Sequence, residues 1–254
     1  MPPLEAVRDN FAYRYYFTPE FGFGRKAVRH IRRRRIEIVL GFLQGMSGCD
    51  VLDVGCGPGD GTLLLGRHFT SPRWVIGVDL GWECVTLGRQ MASANKMTAH
   101  FIQAEAGALP FPSRSFDAVI SWELIEHLPH YRTFLAEAHR VLRPGGHLVL
   151  STPTRAGFHS WLKRAWVRLR RLDRQFAQYR KPGDLYERFL GRRELISALK
   201  ESGFEIISHS VKIFVFSFLP DWLFPLNCAL EPILESLPGI RQLGVTAFYH
   251  CRKA

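Results

Sequence analysis

Asp53, Gly55, Gly57 and Gly59 alternate with other residues along Val51 to Gly61, VLDVGCGPGDG, where an apolar run ends at an acid and breaks into glycines. Glycine allows a tight turn and a close approach of backbone to ligand. A strand, glycine loop and helix in that order present backbone N–H groups to a nucleotide-like ligand in open α/β sheets. The dinucleotide fingerprint GxGxxG would need a third glycine at position 60 or 62, and these places hold Asp60 and Thr62. Cys56, inside the loop, reads as a small residue rather than a nucleophile. Some twenty residues past the loop, Asp79 closes the run WVIGVDL, where a carboxylate is placed to accept hydrogen bonds from ribose hydroxyls. Farther on, Ser121 and Trp122 lead into ELIEHL, in which His127 offers an imidazole able to take a proton near neutral pH. Glu123, Glu126 and His127 also spell ExxEH. Two hard oxygen ligands and an imidazole, joined by a further ligand such as His159, would suit Mg, Mn or Zn, but the letters alone assign no metal.

These residues need strands that end in a common crevice. The pattern predicts a helix from Arg25 to Phe42, with Ile31, Ile38 and Phe42 among its apolar positions, then a strand into the glycine loop and a helix from Thr62 to His68. Trp74 to Leu80 reads as the second strand, Cys84 to Asn95 as a helix, His100 to Ala104 as the third strand and Ala118 to Ser121 as the fourth. A helix from Tyr131 to Val141 leads to a turn and fifth strand in RVLRPGGHLVLSTP. A helix and sixth strand follow in GRRELISALKESGFEIISHSV, and a final strand spans Val245 to Arg252. Strands alternating with helices specify a doubly wound α/β sheet. With strands one and four adjacent, Ser121 to His127 faces Gly55 to Gly61 across the point where such sheets bind ligands.

The DxGxGxG pattern, Asp79 in register with it, the stretch AEAGALPFPSRSFDAVIS and the strand-five turn together resemble the class I S-adenosylmethionine-dependent methyltransferases, and within them the type 11, ubiquinone-biosynthesis-like branch. The resemblance covers about residues 48–153. It implies a Rossmann-like seven-stranded sheet of order 3214576 with the last strand antiparallel. It also implies S-adenosylmethionine as cofactor, left as S-adenosylhomocysteine, and cofactor-binding roles for Asp53, Gly55, Cys56, Gly57, Gly59, Asp79, Leu80, Glu105, Ala106, Ser121 and Trp122. In this assignment Asp79 meets the ribose and Glu105 with Ala106 meets the adenine, Glu replacing the family's more frequent Asp. Ser121 and Trp122 lie beside the methionine end. For an alcohol or phenol acceptor, His127 is the candidate catalytic base, with a structural role at the helix start as the alternative. ExxEH resembles the metal motif of small-RNA 3′-terminal 2′-O-methyltransferases and of some quinone O-methyltransferases. Many relatives carry the same letters without a metal, so no metal site is assigned.

The 254 residues, 46% hydrophobic and 22% charged, suit a globular α/β domain and exclude a disordered chain. A net charge of +11 favours acidic partners. Five cysteines without a CxxC spacing suit a reducing, cytoplasmic compartment. The opening MPPLEAVRDN has no signal-peptide pattern, and the greasiest stretch, Ile213 to Leu226, is broken by Pro220, Asp221 and Pro225 and too short to span a bilayer. Residues 1–47 read as an N-terminal aromatic arm and basic helix, and 48–254 as the methyltransferase domain. In the arm, Tyr15 or Tyr16 covers the cofactor or packs on the body. RHIRRRR (Arg29 to Arg35) gives the helix a basic face, solvated or set against phosphate groups.

Two connections, 154–188 and 214–243, are long enough to be cap insertions. In the first, Leu162, Trp166, Leu169, Leu172, Phe176 and Tyr179 fall at helical spacing among Arg and Lys, as in a cap helix or a basic amphipathic helix for an anionic membrane surface. The second is unusually apolar, and forms either an exposed patch for lipid or a partner, or a buried pocket. The expected acceptor is a small hydrophobic or lipid-linked molecule, such as a quinone precursor or lipid-carried glycan, met at the inner face of a membrane. The alternatives are a soluble small molecule, RNA, for which no binding module is recognisable, and a non-catalytic scaffold.

Overall fold

β1 (Asp50–Val54) is buried at all five of its positions, as a strand must be when helices cover both faces of a parallel sheet. In this computed structural model, which describes residues 26–69, 73–154, 188, 190–215 and 221–254, β1 pairs in parallel with β2 (Trp74–Asp79) and β4 (Phe116–Trp122). β3 (Ala99–Gln103), β5 (Leu142–Pro153), β6 (Phe204–Lys212) and β7 (Thr246–Lys253) complete a seven-stranded sheet of order β3-β2-β1-β4-β5-β7-β6. β7 runs antiparallel to both neighbours, as the resemblance implied. Strand order reverses between β1 and β4, so their carboxyl ends open a ligand crevice.

The helices are α1 (Lys26–Phe42), α2 (Asp60–His68), α3 (Trp82–Ala94), α4 (Tyr131–Val141), α5 (Arg192–Glu201) and α6 (Phe224–Ser236). Side chains alternate across a strand, and the sheet therefore builds two cores. Leu52, Val54, Val119 and Leu148 join Phe134 and Leu135 of α4 and Leu195 and Leu199 of α5 on one face. Val51, Ala118, Ile120 and Val149 join Ala27, Ile31 and Val39 of α1 and Leu65 of α2 on the other. Phe134 and Leu135 are fully buried, and burial of each contributes roughly 1.5–3 kcal/mol.

The basic run of α1 is solvated in part, one of the two expectations: Arg29 and Arg33 are exposed, while Arg32, Arg34 and Arg35 are half-buried against carboxylates of the fold. Arg32 pairs with Asp60 at 2.5 Å, Arg34 lies 3.6 Å from Glu231 and 3.5 Å from Glu235, and Arg35 pairs with Glu123 at 2.7 Å. Carboxylates from three other parts of the fold pair with these three arginines and tie the helix to both the crevice and α6. Element ends move slightly from prediction: α2 starts at Asp60 and β4 at Phe116. His127 lies in a 3-10 turn, Ile125–His127, and not at the start of the following helix. Tyr15, Tyr16, His159 and the basic amphipathic stretch 161–181 lie outside the described residues. Of the second insertion, a 3-10 turn at Asp221–Leu223, α6 and a 3-10 turn at Ile240–Leu243 are described. Among the described residues no helix is long and apolar enough to cross a membrane.

Candidate functional site

The glycine loop is fastened to the end of β2. The N–H groups of Gly55 and Cys56 donate to the Val78 carbonyl at 2.7 and 3.0 Å, that of Gly57 to Asp79 Oδ2 at 2.8 Å, and that of Gly59 to the Cys56 carbonyl at 3.1 Å. The expectation that these amides face a ligand is therefore corrected. Each is spent within the protein, because a buried turn must satisfy its own donors. Gly55 and Gly59 hold φ values of +74° and +87°, the left-handed region that glycine tolerates. A Cβ at Gly55 would meet Leu124 at 2.9 Å, and one at Gly59 would meet the Phe101 ring at 2.4 Å. Packing by distant side chains thus requires glycine at both positions. Cys56 lies in a core with Leu63, Val85 and Phe101, where burial pushes its thiol well above the ordinary range. Its side chain packs and does no nucleophilic chemistry.

Asp53 sits beneath the loop with no exposed surface, and its Oδ2 accepts a hydrogen bond from Thr62 Oγ1 at 2.6 Å. Burial pushes its carboxyl up to about 7, against the hydrogen bond from Thr62 and the influence of Trp122. Its first task is to brace the start of α2. Asp53 Oδ1, Ser121 Oγ and Trp122 Nε1 are buried without a hydrogen-bond partner. A Cβ at Gly61 would stand 3.3 Å from Trp122 Nε1 and 3.6 Å from Asp53 Oδ2, so a donor and a carboxylate lie side by side at the carboxyl ends of β1 and β4. Unmet donors and acceptors of that kind fit the zwitterionic end of an amino-acid-bearing cofactor.

Asp79 ends β2 half-buried, with Oδ1 accepting from Gly81 N–H at 2.8 Å while Oδ2 holds Gly57. Each oxygen keeps acceptor capacity. Beside it Leu80 is 70% exposed and Trp82 53% exposed, giving a carboxylate flanked by apolar surface, which fits a ribose joined to an adenine. Ala104 N–H donates to the Asp79 carbonyl at 3.1 Å, bringing exposed Glu105 and buried Ala106 alongside.

After β4 the chain kinks at Glu123, a non-glycine residue with φ +49°. Its N–H donates to the Ser151 carbonyl at 3.0 Å and its carboxylate meets Arg35. The kink lays Leu124 over Gly55 and leaves His127 with 30% of its side chain exposed. Glu126 points inward, 1% exposed, accepting from Thr152 Oγ1 at 3.0 Å and lying 4.0 Å from His127 Nε2. Within ExxEH, Glu123 is thus taken up by Arg35 of α1 and Glu126 by Thr152 of β5. Among the described residues no three His, Cys, Asp or Glu side chains are grouped to hold a metal ion. Arg35, Thr62, Leu124 and Thr152 support the site and were missed in the sequence, where only their later partners mark them.

Burial, and then the Glu123 carboxylate, push the Glu126 carboxyl from 4.5 up to about 8. A folded-state value above the unfolded one means that the group's contribution to stability is complete below about pH 4.5 and is lost as pH rises through 8. Glu126→Gln is therefore expected to melt near the parent at pH 5 and about 3 °C or more above it at pH 9. A melting difference that does not vary with pH would refute this. Taking the difference cancels His250, whose value burial lowers to about 4 and whose effect at acid pH has the opposite sign.

The sheet order, the clasped glycine loop and Asp79 define a nucleoside-cofactor site of the doubly wound class. A methyltransferase-domain family model matches residues 51–146. The demethylmenaquinone methyltransferase of Geobacillus kaustophilus is 31% identical over 186 residues, 69% of this chain and 78% of that protein. A fatty-acid O-methyltransferase of Mycolicibacterium smegmatis is 39% identical over 104 residues, 41% of this chain but only 37% of its own length. The solved structure of an S-adenosylmethionine-dependent methyltransferase from Mesorhizobium loti shares the fold, with TM-score 0.60 and 19% identity over 85% of this chain and 96% of that one. The chain belongs to the class I S-adenosylmethionine-dependent methyltransferases. It is an enzyme whose methyl donor is S-adenosylmethionine and whose co-product is S-adenosylhomocysteine.

Proposed function

We propose that the enzyme methylates an oxygen of a hydrophobic or lipid-linked acceptor, a quinone precursor or a lipid-carried glycan, from the cytoplasmic side of a membrane. S-adenosylmethionine, when bound, supplies an electrophilic methyl group on a sulfonium. Asp79 accepts hydrogen bonds from the ribose, and Leu80, Glu105 and Ala106 border the adenine. Asp53, Ser121 and Trp122 serve the amino-acid end. Displacement at a sulfonium methyl needs alignment and dryness more than covalent help, and Leu124 at Gly55 and Trp122 at Gly61 set apolar surface against the glycine loop. His127 takes the acceptor's hydroxyl proton as the new C–O bond forms.

The observation that carries this reading is His127 itself, an imidazole with 30% of its side chain exposed in the turn that follows Leu124, the residue laid over Gly55. The acceptors in the names of two relatives, demethylmenaquinone and a fatty acid, are lipophilic and support the acceptor class. The test is transfer of tritium from methyl-labelled S-adenosylmethionine into detergent-dispersed bacterial lipid extract, with total RNA in parallel. Label in the organic phase is expected. Label confined to RNA would replace the reading with ribose methylation, and label in neither would remove both acceptor classes.

A further inference from the structure

α6 is turned inside out. Its polar residues Asn227 and Glu231 are buried, at 4% and 3% exposure. Glu231 Oε2 lies 2.8 Å from His30 Nε2, and Glu235 meets Arg34 at 3.5 Å and Lys212 at 3.3 Å while accepting from the Ile213 N–H at 3.0 Å. Leu226, Leu230, Ile233 and Leu237 recur at helical spacing on the opposite side, exposed by 56%, 41%, 54% and 39%, and Trp222 in the preceding turn is 76% exposed. Within this insertion Phe214 and Val215 are buried, whereas the apolar residues of α6 form an exposed patch. A contiguous apolar stripe facing outward while carboxylates face inward is unfavourable in water, and marks a face matched to another phase or partner.

Charge decides which. The glutamates of α6 are turned inward and paired, so they lend the stripe no negative charge, while α1 beside it exposes Lys26 and Arg29. Two copies stacked through this face would oppose like charges on chains of net charge +11. Anionic headgroups would complement them, and an exposed Trp at the edge suits the headgroup level. The placement also fits the reaction. β6 runs antiparallel to β7, which is antiparallel to β5, so the carboxyl end of β6, from which the α6 insertion leaves, is on the crevice side of the sheet. Adjacent residues of α1, Arg35 and Arg34, reach Glu123 in the crevice and Glu235 of α6.

We infer that the outward face of α6, Trp222 with Leu226, Leu230, Ile233 and Leu237, docks on an anionic phospholipid bilayer, an inference that rests on the lipophilic-acceptor reading for its purpose. The full chain is sedimented with vesicles of equal parts phosphatidylglycerol and phosphatidylcholine, and with phosphatidylcholine alone. Binding to the anionic vesicles is expected, weakened by about tenfold or more in Leu230→Glu/Ile233→Glu, because charge replaces the inserted apolar area. S-adenosylhomocysteine affinity of that variant should match the parent, which shows that it is folded. A blue shift of tryptophan emission on vesicle addition should vanish in Trp222→Phe. Equal vesicle binding by the double variant, or none by the parent, overturns the inference. A parent dimer that the double variant dissociates, without vesicle binding, assigns the stripe to a second copy instead. Transfer to detergent-dispersed acceptor needs no bilayer, so failure of docking and failure of the methyl-transfer reading appear in separate assays.

Discussion

Asp79→Ala is expected to weaken S-adenosylmethionine binding by about 100-fold or more, since hydrogen bonds to a charged group are worth roughly 1.5–3 kcal/mol each. The carboxylate has two duties. It is the acceptor proposed for the ribose, and it holds Gly57 N–H and Gly81 N–H at 2.8 Å each, clasping the glycine loop to β2. Losing it removes ligand contacts and frees the loop at once. The fold should survive, because Asp79 lies at the half-exposed strand end and not among the buried apolar residues of β1, β4 and β5. Calorimetry with S-adenosylhomocysteine and thermal melting without ligand separate the two effects. Asp79→Asn keeps the shape but loses the charge and half the acceptors, and should fall between. Unchanged affinity in Asp79→Ala would take the residue out of the site.

His127→Ala is expected to lower kcat by about 10²–10⁴-fold, the range for a positioned general base, with S-adenosylhomocysteine affinity nearly unchanged. The 3-10 turn is anchored without the ring: His127 N–H donates to the Leu124 carbonyl at 2.8 Å, and Glu126 is held by Thr152. Removing the imidazole keeps these two bonds and takes away the proton acceptor. Added imidazole should restore part of the rate. A parallel loss of kcat and cofactor affinity would make His127 structural, and an unchanged kcat would leave the reaction without a base at this position.

The strands, the loop and Asp79 could be read from residues 51–79 because each depends on local chemistry: valine and leucine runs extend, glycines turn, and an acid ends the next strand. What the glycines are for could not be read. Gly55 and Gly59 are fixed by Leu124 and Phe101, side chains brought over them by pairing of the sheet. Likewise ExxEH looks like a ligand cluster in sequence, yet in the fold Glu123 is taken up by Arg35 and Glu126 by Thr152. RHIRRRR announces charge, and Glu37 on the same helix is a local partner, but Asp60, Glu123, Glu231 and Glu235 lie on other elements, and only the folded chain brings them within reach. α6 shows the division most plainly. Periodicity groups Leu226, Leu230, Ile233 and Leu237 on one face of a helix, and no local rule says whether that face turns in or out. The outcome depends on Glu231 and Glu235 meeting Arg34 of α1 and Lys212 of β6, where pairing offsets the cost of burying charge. Period and turn chemistry are written in neighbouring residues; burial is settled by contacts between residues far apart in the chain.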